Sequence, residues 1–376
     1  MHIEALEVAG YRSLRRLRLP LGPVSVITGP NGSGKTNLYR ALYLLHAAAQ
    51  GTLARTLASE GGMPSALWAG GREKGPVRMS VGVELGDLSY SLALGLPNPP
   101  AGSFLLDPVV KEEQVLFREG RRKIELMSRK ARSVWLRDAE GERQVYPADL
   151  WEAESVLCQL VEPHRYPVLS TLRQQILAWR FYHHFRTDEE APIRRAQVGV
   201  RTPVLSHDGR DLAAALETIL DIGDPRGLHA AVERAFPGAR LNVEANNGRF
   251  LVGMHMPGIG RRLEAAELSD GTLRYLCLLA ALMSPRPPPF LALNEPETSL
   301  HPDLLVPLAH AVAEAARNTQ IWLTTHSEPL VAALEKLCRT TALRLARPSG
   351  ETQLGRWGER DAAGEEGEAE EPEEEG

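Results

Sequence analysis

The sequence predicts an α/β fold that combines an antiparallel β lobe with a helical insertion. Three observations carry this prediction. A G-x-x-x-x-G-K-T pattern lies at residues 29–36, between an apolar run and a helical run. Apolar and polar side chains alternate through residues 77–96, which is typical of strands. From residue 148 onward the apolar spacing becomes that of helices.

The glycine-rich pattern predicts a phosphate-binding loop. Val24–Thr28 predicts a buried strand before it, and Asn37–Ala49 a helix after it. Glycines let the backbone curl so that N–H groups point inward at the positive end of the helix. Lys35 is then placed to contact the β- and γ-phosphates of a nucleoside triphosphate, and the Thr36 hydroxyl to bind Mg²⁺. The predicted loop consists of Gly29, Pro30, Asn31, Gly32, Ser33, Gly34, Lys35 and Thr36.

Composition excludes several classes of protein. A hydrophobic fraction of 43% and a charged fraction of 24% over 376 residues are ordinary for a globular protein. We expect no transmembrane helix, no signal peptide and hence a cytoplasmic location. Cys158, Cys277 and Cys338 form no C-x-x-C pair, so neither a disulfide framework nor a zinc site is expected.

The charge is unevenly distributed along the chain. Residues 361–376 contain nine acidic and no basic side chains, and we expect this tail to be disordered. Removing those nine negative charges from the net −5 leaves +4 for the rest. That value is compatible with a nucleic-acid partner but lacks the strong basic bias that would argue for one.

The first half of the chain predicts mostly strands. Two strands at residues 3–8 and 17–21 are joined by a turn with Arg12, which we expect to be solvated rather than in contact with a nucleotide. Residues 51–75 predict a loop, and residues 109–145 predict further short strands. Their basic side chains favour a solvated strand face over a DNA-contacting one. These side chains are Arg118, Arg121, Arg122, Lys123, Arg129, Lys130 and Arg132.

The second half predicts helices before it returns to strands. Helices are expected at residues 150–160, 169–185, 212–220 and 228–236, and strands at 241–243 and 250–256. Residues 192–203 predict an exposed basic connector. The four aromatic residues in the second of these helices favour packing over base stacking. They are Trp179, Phe181, Tyr182 and Phe185.

Three further motifs follow the phosphate loop in order. Leu268-Ser269-Asp270-Gly271-Thr272 starts a helix whose N-cap, Ser269, can either hold phosphate oxygens or simply cap the helix. The apolar run 290–293 delivers Asn294 and Glu295 at its carboxyl end, where a carboxylate can orient an attacking water. Another apolar run, 321–325, ends at His326, which is placed to contact the γ-phosphate.

The ordered set GPNGSGKT, LSDGT, NEPETSLHP and TTHS resembles the ABC-type ATPases, more narrowly their RecF-like and SMC-like branch and its bacterial "predicted ATPase" relatives. The resemblance covers residues 1–49 and 267–334. It implies an ABC-type P-loop NTPase head that hydrolyses ATP as a homodimer. Lys35, Thr36, Glu295 and His326 would act in cis. Ser269, Asp270 and Gly271 form the nucleotide-contacting signature, with Ser269 and Gly271 acting in trans, and the D-loop Thr298–His301 crosses the interface.

The magnesium site is where the sequence departs from the family pattern. The family has a magnesium-contacting glutamine, for which Gln159 is the best candidate, although an ordinary surface glutamine explains it equally well. Asn294 stands where most ABC ATPases have aspartate. Its amide oxygen can accept a hydrogen bond from a magnesium-bound water but carries no charge, so we expect slow turnover. In the alternative register Glu295 binds magnesium and Glu297 is the base.

The resemblance also implies a domain plan. We expect an ATPase lobe at 1–147, a helical insertion with return strands at 148–260, a segment completing the ATPase at 261–355, and the tail at 356–376. No sustained heptads lie between Lys35 and Ser269, so coiled-coil arms are not expected, nor is a Toprim domain after Leu345. Two functions remain: an ATPase in a DNA-linked process such as repair, recombination or defence, or an ATP-driven switch for a separate effector protein without DNA contact. No membrane partner is expected.

Overall fold

The computed structural model describes residues 1–71, 77–97, 103–146, 150–160 and 162–355. The predicted acidic tail and the predicted start of the helical insertion at residue 148 lie outside these ranges. The strands are β1 (Ile3–Tyr11), β2 (Leu14–Pro20), β3 (Val24–Thr28), β4 (Arg78–Leu85), β5 (Leu88–Gly95), β6 (Val109–Glu119), β7 (Arg122–Lys130), β8 (Ser133–Arg137), β9 (Arg143–Val145), β10 (Arg180–Tyr182), β11 (Gln197–Val198), β12 (Arg240–Asn246), β13 (Arg249–His255), β14 (Arg262–Glu264), β15 (Phe290–Asn294), β16 (Gln320–Thr325), β17 (Leu343–Ala346) and β18 (Gln353–Leu354). The helices are α1 (Lys35–Gln50), α2 (Leu53–Ser59), α3 (Met63–Ala66), α4 (Val156–Gln159), α5 (Pro167–Leu177), α6 (Leu212–Ile222), α7 (Pro225–Ala235), α8 (Asp270–Leu282), α9 (Leu305–Ala315) and α10 (Glu328–Cys338).

A central sheet with the strand order β10-β15-β16-β3-β17-β18 carries the motifs. Its first five strands are parallel, and β18 closes the edge antiparallel to β17. Every side chain of β3, β15 and β16 is buried, as expected for parallel strands covered on both faces. Because parallel strands all end at the same edge of a sheet, the residues after β10, β15, β16 and β3 gather there.

An antiparallel sheet with the order β2-β1-β4-β5-β6-β7-β8-β9 forms the β lobe. Buried side chains alternate with partly buried or exposed ones along β4, with Met79, Val81 and Val83 facing the core. Helix α1 packs its leucines into the same core. A smaller sheet of β11, β13, β12 and β14 packs with α6 and α8 in a second core. The α/β prediction and the antiparallel lobe are thereby confirmed, whereas the domain boundaries stay a prediction.

Two secondary-structure predictions are wrong. The predicted loop at 51–75 contains α2 and α3, because Leu53 and Leu57 bury against the core. The predicted helix at 169–185 ends at Leu177, and β10 follows it as the edge strand of the central sheet. A three-residue segment such as Arg180-Phe181-Tyr182 is too short for its periodicity to distinguish helix from strand, and pairing with β15 decides in favour of strand.

The helix predicted at 150–160 is shorter than expected, since only α4 is helical there. The aromatic residues of the next segment do pack, as expected. The Trp179 and Phe290 ring centroids lie 5.6 Å apart, and Phe181 and Tyr182 are buried.

Cys277 is buried, Cys158 and Cys338 are half-buried, and all three are free thiols. Within the described ranges, no helix is both long and apolar enough to cross a membrane.

The basic strands of the β lobe do not form one solvated face. Arg129 is buried, and its guanidinium donates to the carbonyl oxygens of Ala131, Glu154 and Trp151 at 2.9, 2.6 and 3.1 Å. It therefore fixes the segment before α4 against β7. The turn between β6 and β7 is different, because Arg121, Arg122 and Lys123 are all exposed there, so their side chains remain accessible.

Arg12 is not the solvated turn residue that we expected. Its Nη2 lies 2.8 Å from Glu60 Oε2, which also accepts a hydrogen bond of 2.8 Å from the Tyr11 hydroxyl. Only 22% of the Arg12 side chain is exposed. Glu60 comes from the end of α2, the element that sequence periodicity missed, so its pairing with Arg12 was equally unpredictable.

Candidate functional site: the carboxyl edge of the parallel sheet

The ends of three parallel strands bring charged side chains of three motifs together. Lys35 follows β3 through the phosphate loop, Glu295 follows β15 and His326 follows β16. Glu295 Oε1 lies 4.0 Å from Lys35 Nζ and 3.8 Å from His326 Nδ1. The two predicted catalytic residues and the phosphate-loop lysine thus occupy one site.

The phosphate loop has the backbone geometry of an anion cradle. Gly32 and Gly34 have φ of 80° and 104°, in the left-handed region that favours glycine. The first turn of α1 has no side-chain cap and no acidic residue, so its N–H groups face the loop without an intrahelical partner. The buried Ser33 hydroxyl also lacks a hydrogen-bond partner. Lys35 Nζ donates to the carbonyl oxygens of Gly29 and Pro30 at 2.7 and 3.2 Å. These features fit a bound phosphate group.

A chain of hydroxyl groups holds the loop from behind. Asn37 Nδ2 donates to Ser13 Oγ at 2.8 Å, Ser13 Oγ lies 2.8 Å from Thr352 Oγ1, and Thr352 Oγ1 donates to the Ser33 carbonyl at 2.9 Å. A Cβ at Gly34 would collide with the Thr352 side chain. Sequence reasoning missed Ser13 and Thr352, because no local motif marks either residue as a neighbour of the loop.

Asn294 is held by two neighbours in a defined orientation. Its Oδ1 accepts a hydrogen bond of 2.9 Å from the Thr324 hydroxyl, so its Nδ2 faces His183 Nδ1, also at 2.9 Å. Burial lowers the pKa of His183, and the nearby Arg40 and His184 lower it further. A neutral imidazole can accept the amide hydrogen. The sequence predicts His183 to lie on the polar edge of a packed helix; it reaches the site because it follows β10, which is a strand.

Glu295 and Glu297 have different environments. Glu295 has φ of 47°, its N–H donates to the Thr324 carbonyl at 2.9 Å, and 30% of its side chain is exposed. Glu297 is buried, and its Oε1 accepts hydrogen bonds from Thr325 Oγ1 at 2.6 Å and from the His326 N–H at 3.0 Å. Its geometry is that of an anchor for His326, whereas Glu295 presents its carboxylate to the site.

The donor atoms at this edge fit a magnesium ion. Thr36, Asn294 and Glu295 offer hydroxyl, amide and carboxylate oxygens, the ligands that Mg²⁺ prefers. One lone pair of Asn294 Oδ1 is already used by Thr324, and the other remains. Thr36 is half-buried at the start of α1.

The assignment of Gln159 to this metal site is wrong. Its side chain accepts from the Trp151 N–H at 3.2 Å and donates to the Ser155 carbonyl at 3.4 Å. Cys158 beside it lies 3.7 Å from a Cβ placed on Gly51, which caps the far end of α1. A helix of 16 residues spans about 24 Å, so Gln159 is remote from the phosphate loop.

The signature motif is exposed and is bonded to residues outside the phosphate loop. Ser269 caps α8, with its Oγ accepting from the Thr272 N–H at 3.2 Å, and both Ser269 and Asp270 are exposed. A Cβ on Gly271 would lie 2.8 Å from the carbonyl oxygen of Ser299 in the D-loop. Among the hydrogen bonds and ion pairs of the described residues, none joins 269–271 to 29–36.

Arg274 connects the signature helix to its surroundings. It is buried one turn after Ser269, and its Nη1 donates to the Thr298 carbonyl of the D-loop at 2.7 Å. Its Nη2 lies 2.8 Å from His184 Nδ1. Signature, D-loop and the segment after β10 therefore form one hydrogen-bonded unit.

Fold and site together define a P-loop ATPase of the ABC type. The chain belongs to the family described as "AAA domain, putative AbiEii toxin, Type IV TA system", whose family model matches residues 24–333. Together with the ordered motifs, this match confirms the resemblance to RecF-like and SMC-like ATPases.

Curated relatives share only a short segment with this chain. The OLD nuclease of Thermus scotoductus is 46% identical over 43 residues, which is 11% of this chain and 8% of that protein. The DNA replication and repair protein RecF of Streptomyces avermitilis is 49% identical over 43 residues, 11% of this chain and 12% of that protein. The matched stretch is thus a small part of both relatives.

Two solved SMC heads share the fold over nearly the whole length. The SMC head bound to the C-winged helix domain of ScpA has a TM-score of 0.50 at 16% identity, covering 94% of this chain and 98% of that one. The SMC head derived from Pyrococcus furiosus, with an extended coiled coil and bound to the C-terminal domain of ScpA, has a TM-score of 0.51 at 14% identity, covering 94% and 96%. At such identities the likeness establishes the fold alone.

Proposed function

We propose that this chain binds ATP with Mg²⁺ and hydrolyses it, with Glu295 as the residue that activates water. The observation that carries the proposal is the position of the Glu295 carboxylate between Lys35 Nζ at 4.0 Å and His326 Nδ1 at 3.8 Å. A carboxylate beside the phosphate-binding lysine can accept the proton of an attacking water. The proposed setting is the cytoplasm.

Each residue of the site has a separate task in this proposal. Lys35 exchanges its carbonyl acceptors for phosphate oxygens, which are stronger partners because they are charged. His326, held by Glu297 through its N–H, contacts the γ-phosphate. Thr36 and Asn294 would hold a magnesium ion, which would supply positive charge against the phosphates. An amide in place of a carboxylate at position 294 supports slow, switch-like turnover.

The Glu295→Gln variant tests the catalytic assignment. Loss of a general base lowers turnover by about 10²–10⁴-fold, and ATP binding should be retained because the phosphate loop is unchanged. Glu297→Gln serves as the comparison. If Glu297→Gln abolished turnover with intact ATP binding while Glu295→Gln remained active, the alternative register would replace this assignment.

We further propose that the active form is a homodimer in which Ser269, Asp270 and Gly271 of one copy contact the nucleotide on the other. Ser269 and Asp270 are exposed, and among the described residues no hydrogen bond or ion pair joins them to the phosphate loop of their own chain, which supports this arrangement. Lys35→Ala and Ser269→Arg chains should each be inactive alone. An equal mixture should regain about a quarter of the wild-type rate, since half of the dimers are mixed and each has one intact site. No recovery would argue against a shared site.

For the biological role we propose a DNA-linked process such as repair, recombination or defence. Exposed Arg121, Arg122 and Lys123 at the β6–β7 turn support DNA contact, although the buried Arg129 removes one cation from the predicted basic face. DNA should stimulate the ATPase and bind less tightly as salt rises. Replacing all three exposed residues by glutamine should reduce the slope of log K against log salt by up to about 3.

The second candidate is an ATP-driven switch for a separate effector protein. It is favoured by the toxin–antitoxin system in the family description. ATP hydrolysis that DNA leaves unchanged, together with no salt-dependent DNA binding, would favour this switch over the DNA-linked role.

A further inference from the structure

Arg194 lies directly before the small sheet, in the segment that sequence reasoning took for an exposed basic connector. Its side chain is only 10% exposed. The guanidinium donates to six acceptors, five of which are backbone carbonyl oxygens. These are Thr187 O at 2.9 Å and Asp188 O at 3.1 Å from Nε, Ala265 O at 3.2 Å, Ala266 O at 3.2 Å and Leu268 O at 2.8 Å from Nη1, and Asp270 Oδ1 at 2.5 Å from Nη2.

The acceptors on one side of Arg194 belong to the approach to the signature. Residues 265–267 form a short 3-10 turn, closed by a long hydrogen bond of 3.4 Å from the Leu268 N–H to the Ala265 carbonyl. Arg194 adds a second donor to the Ala265 carbonyl and also donates to the carbonyls of Ala266 and Leu268, where the chain leaves the turn. Leu268 and Ser269 can then remain extended, with ψ of 144° and 156°, and Ser269 becomes the N-cap of α8.

The pairing with Asp270 fixes the other end of the same loop. Asp270 is the first residue of α8, where a carboxylate also favours the positive helix end. One planar guanidinium therefore holds the carbonyl of Leu268 and the side chain of Asp270, which flank Ser269 on both sides. A lysine ammonium carries its three donors on one nitrogen and lacks the planar fork that reaches these two acceptors from two nitrogens.

We propose that Arg194 is a positioning residue that holds the signature loop Leu268–Gly271 in the orientation needed to contact the nucleotide of a partner copy. This inference rests on the proposed shared site. Arg194 belongs to the signature half of that site. Loss of Arg194 should therefore impair the contact between the signature of its chain and the nucleotide on the partner copy, and should leave the phosphate loop of its own chain unaffected.

The test uses Arg194→Lys with Arg195→Gln as the matched control. Arg195 is exposed and pairs with Glu190 at 2.6 Å, away from the signature. Arg194→Lys should lower turnover at least tenfold and leave ATP affinity within about twofold of wild type, whereas Arg195→Gln should change neither. Amide hydrogen exchange at residues 268–273 should accelerate about tenfold in Arg194→Lys only, with no change at residues 29–38.

Complementation separates a signature defect from a general structural one. An equal mixture of Arg194→Lys with Lys35→Ala should recover about a quarter of the wild-type rate, and a mixture with Ser269→Arg should recover none. If the mixture of Lys35→Ala with Ser269→Arg recovered activity but the mixture of Lys35→Ala with Arg194→Lys did not, the inference about Arg194 would be overturned and the shared site would stand. If neither of these two mixtures with Lys35→Ala recovered activity, the shared site and this inference would both be overturned. Unchanged exchange at 268–273 would also overturn the role of Arg194.

Discussion

The hydroxyl chain behind the phosphate loop makes a quantitative prediction for Thr352→Val. The substitution keeps the shape of the side chain but removes the hydroxyl that links Ser13 to the Ser33 carbonyl. The Ser33 carbonyl can only accept, so the Thr352 hydroxyl donates to it. Ser13 must then donate to Thr352, and Asn37 donates to Ser13. Valine therefore leaves a buried O–H and a buried C=O unpaired.

The cost follows from those two stranded groups. A buried polar group without a partner costs about 1–3 kcal/mol, so the two groups stranded by Thr352→Val should lower the free energy of unfolding by about 2–6 kcal/mol. Thr352→Ser keeps the hydroxyl and loses one methyl group, which costs about 1 kcal/mol. ATP affinity should fall in the valine variant and remain near wild type in the serine variant, because Ser33 is part of the cradle.

Urea unfolding of the wild type and both variants measures the stability difference, and calorimetric titration with ATP measures the affinity. The reasoning is refuted if valine costs no more stability than serine. It is also refuted if valine destabilises the protein while ATP affinity stays at the wild-type value, since Thr352 would then support the fold without positioning the loop.

Two further predictions concern titratable groups. Burial raises the pKa of Glu113 above 4.5, so its contribution to stability is fully present below pH 4.5 and is lost as pH rises through its folded-state pKa. Glu113→Gln should remove that pH dependence in urea unfolding, and parallel curves for the two proteins would contradict it. Asn294→Asp places a carboxylate against His183 Nδ1 and should raise the lowered pKa of this histidine in an NMR titration, because a nearby negative charge favours imidazolium. An unchanged titration would show that the two side chains do not interact.

The core of the fold was predictable because its strands have a recognisable local sequence pattern. Val24–Thr28 was predicted and observed with the same bounds, and β15 and β16 lie where apolar runs precede polar motifs. Such runs are buried on both faces, so composition alone reveals them. Short elements such as β10 depend on a partner strand far away in sequence, and no local pattern encodes that pairing.

The same distinction applies to the site. Lys35, Glu295 and His326 stand in motifs whose chemistry requires those residue types, and they meet at one edge of the sheet. Arg194, His183 and Thr352 act through contacts with residues that are more than 70 positions away. Gln159 was misassigned for the same reason, since only the packing of α4 at the far end of α1 places it.

The central claim is an ATP site completed by a second copy of the chain, and the oligomeric state of Glu295→Gln tests it most directly. This variant should bind ATP without hydrolysing it, so ATP should hold the dimer together. Light scattering of Glu295→Gln with saturating ATP and Mg²⁺ should give twice the mass of the 41.3 kDa chain. The double variant Glu295→Gln, Ser269→Arg should give the mass of one chain under the same conditions. A Glu295→Gln protein that binds ATP and remains at the mass of one chain would contradict the account.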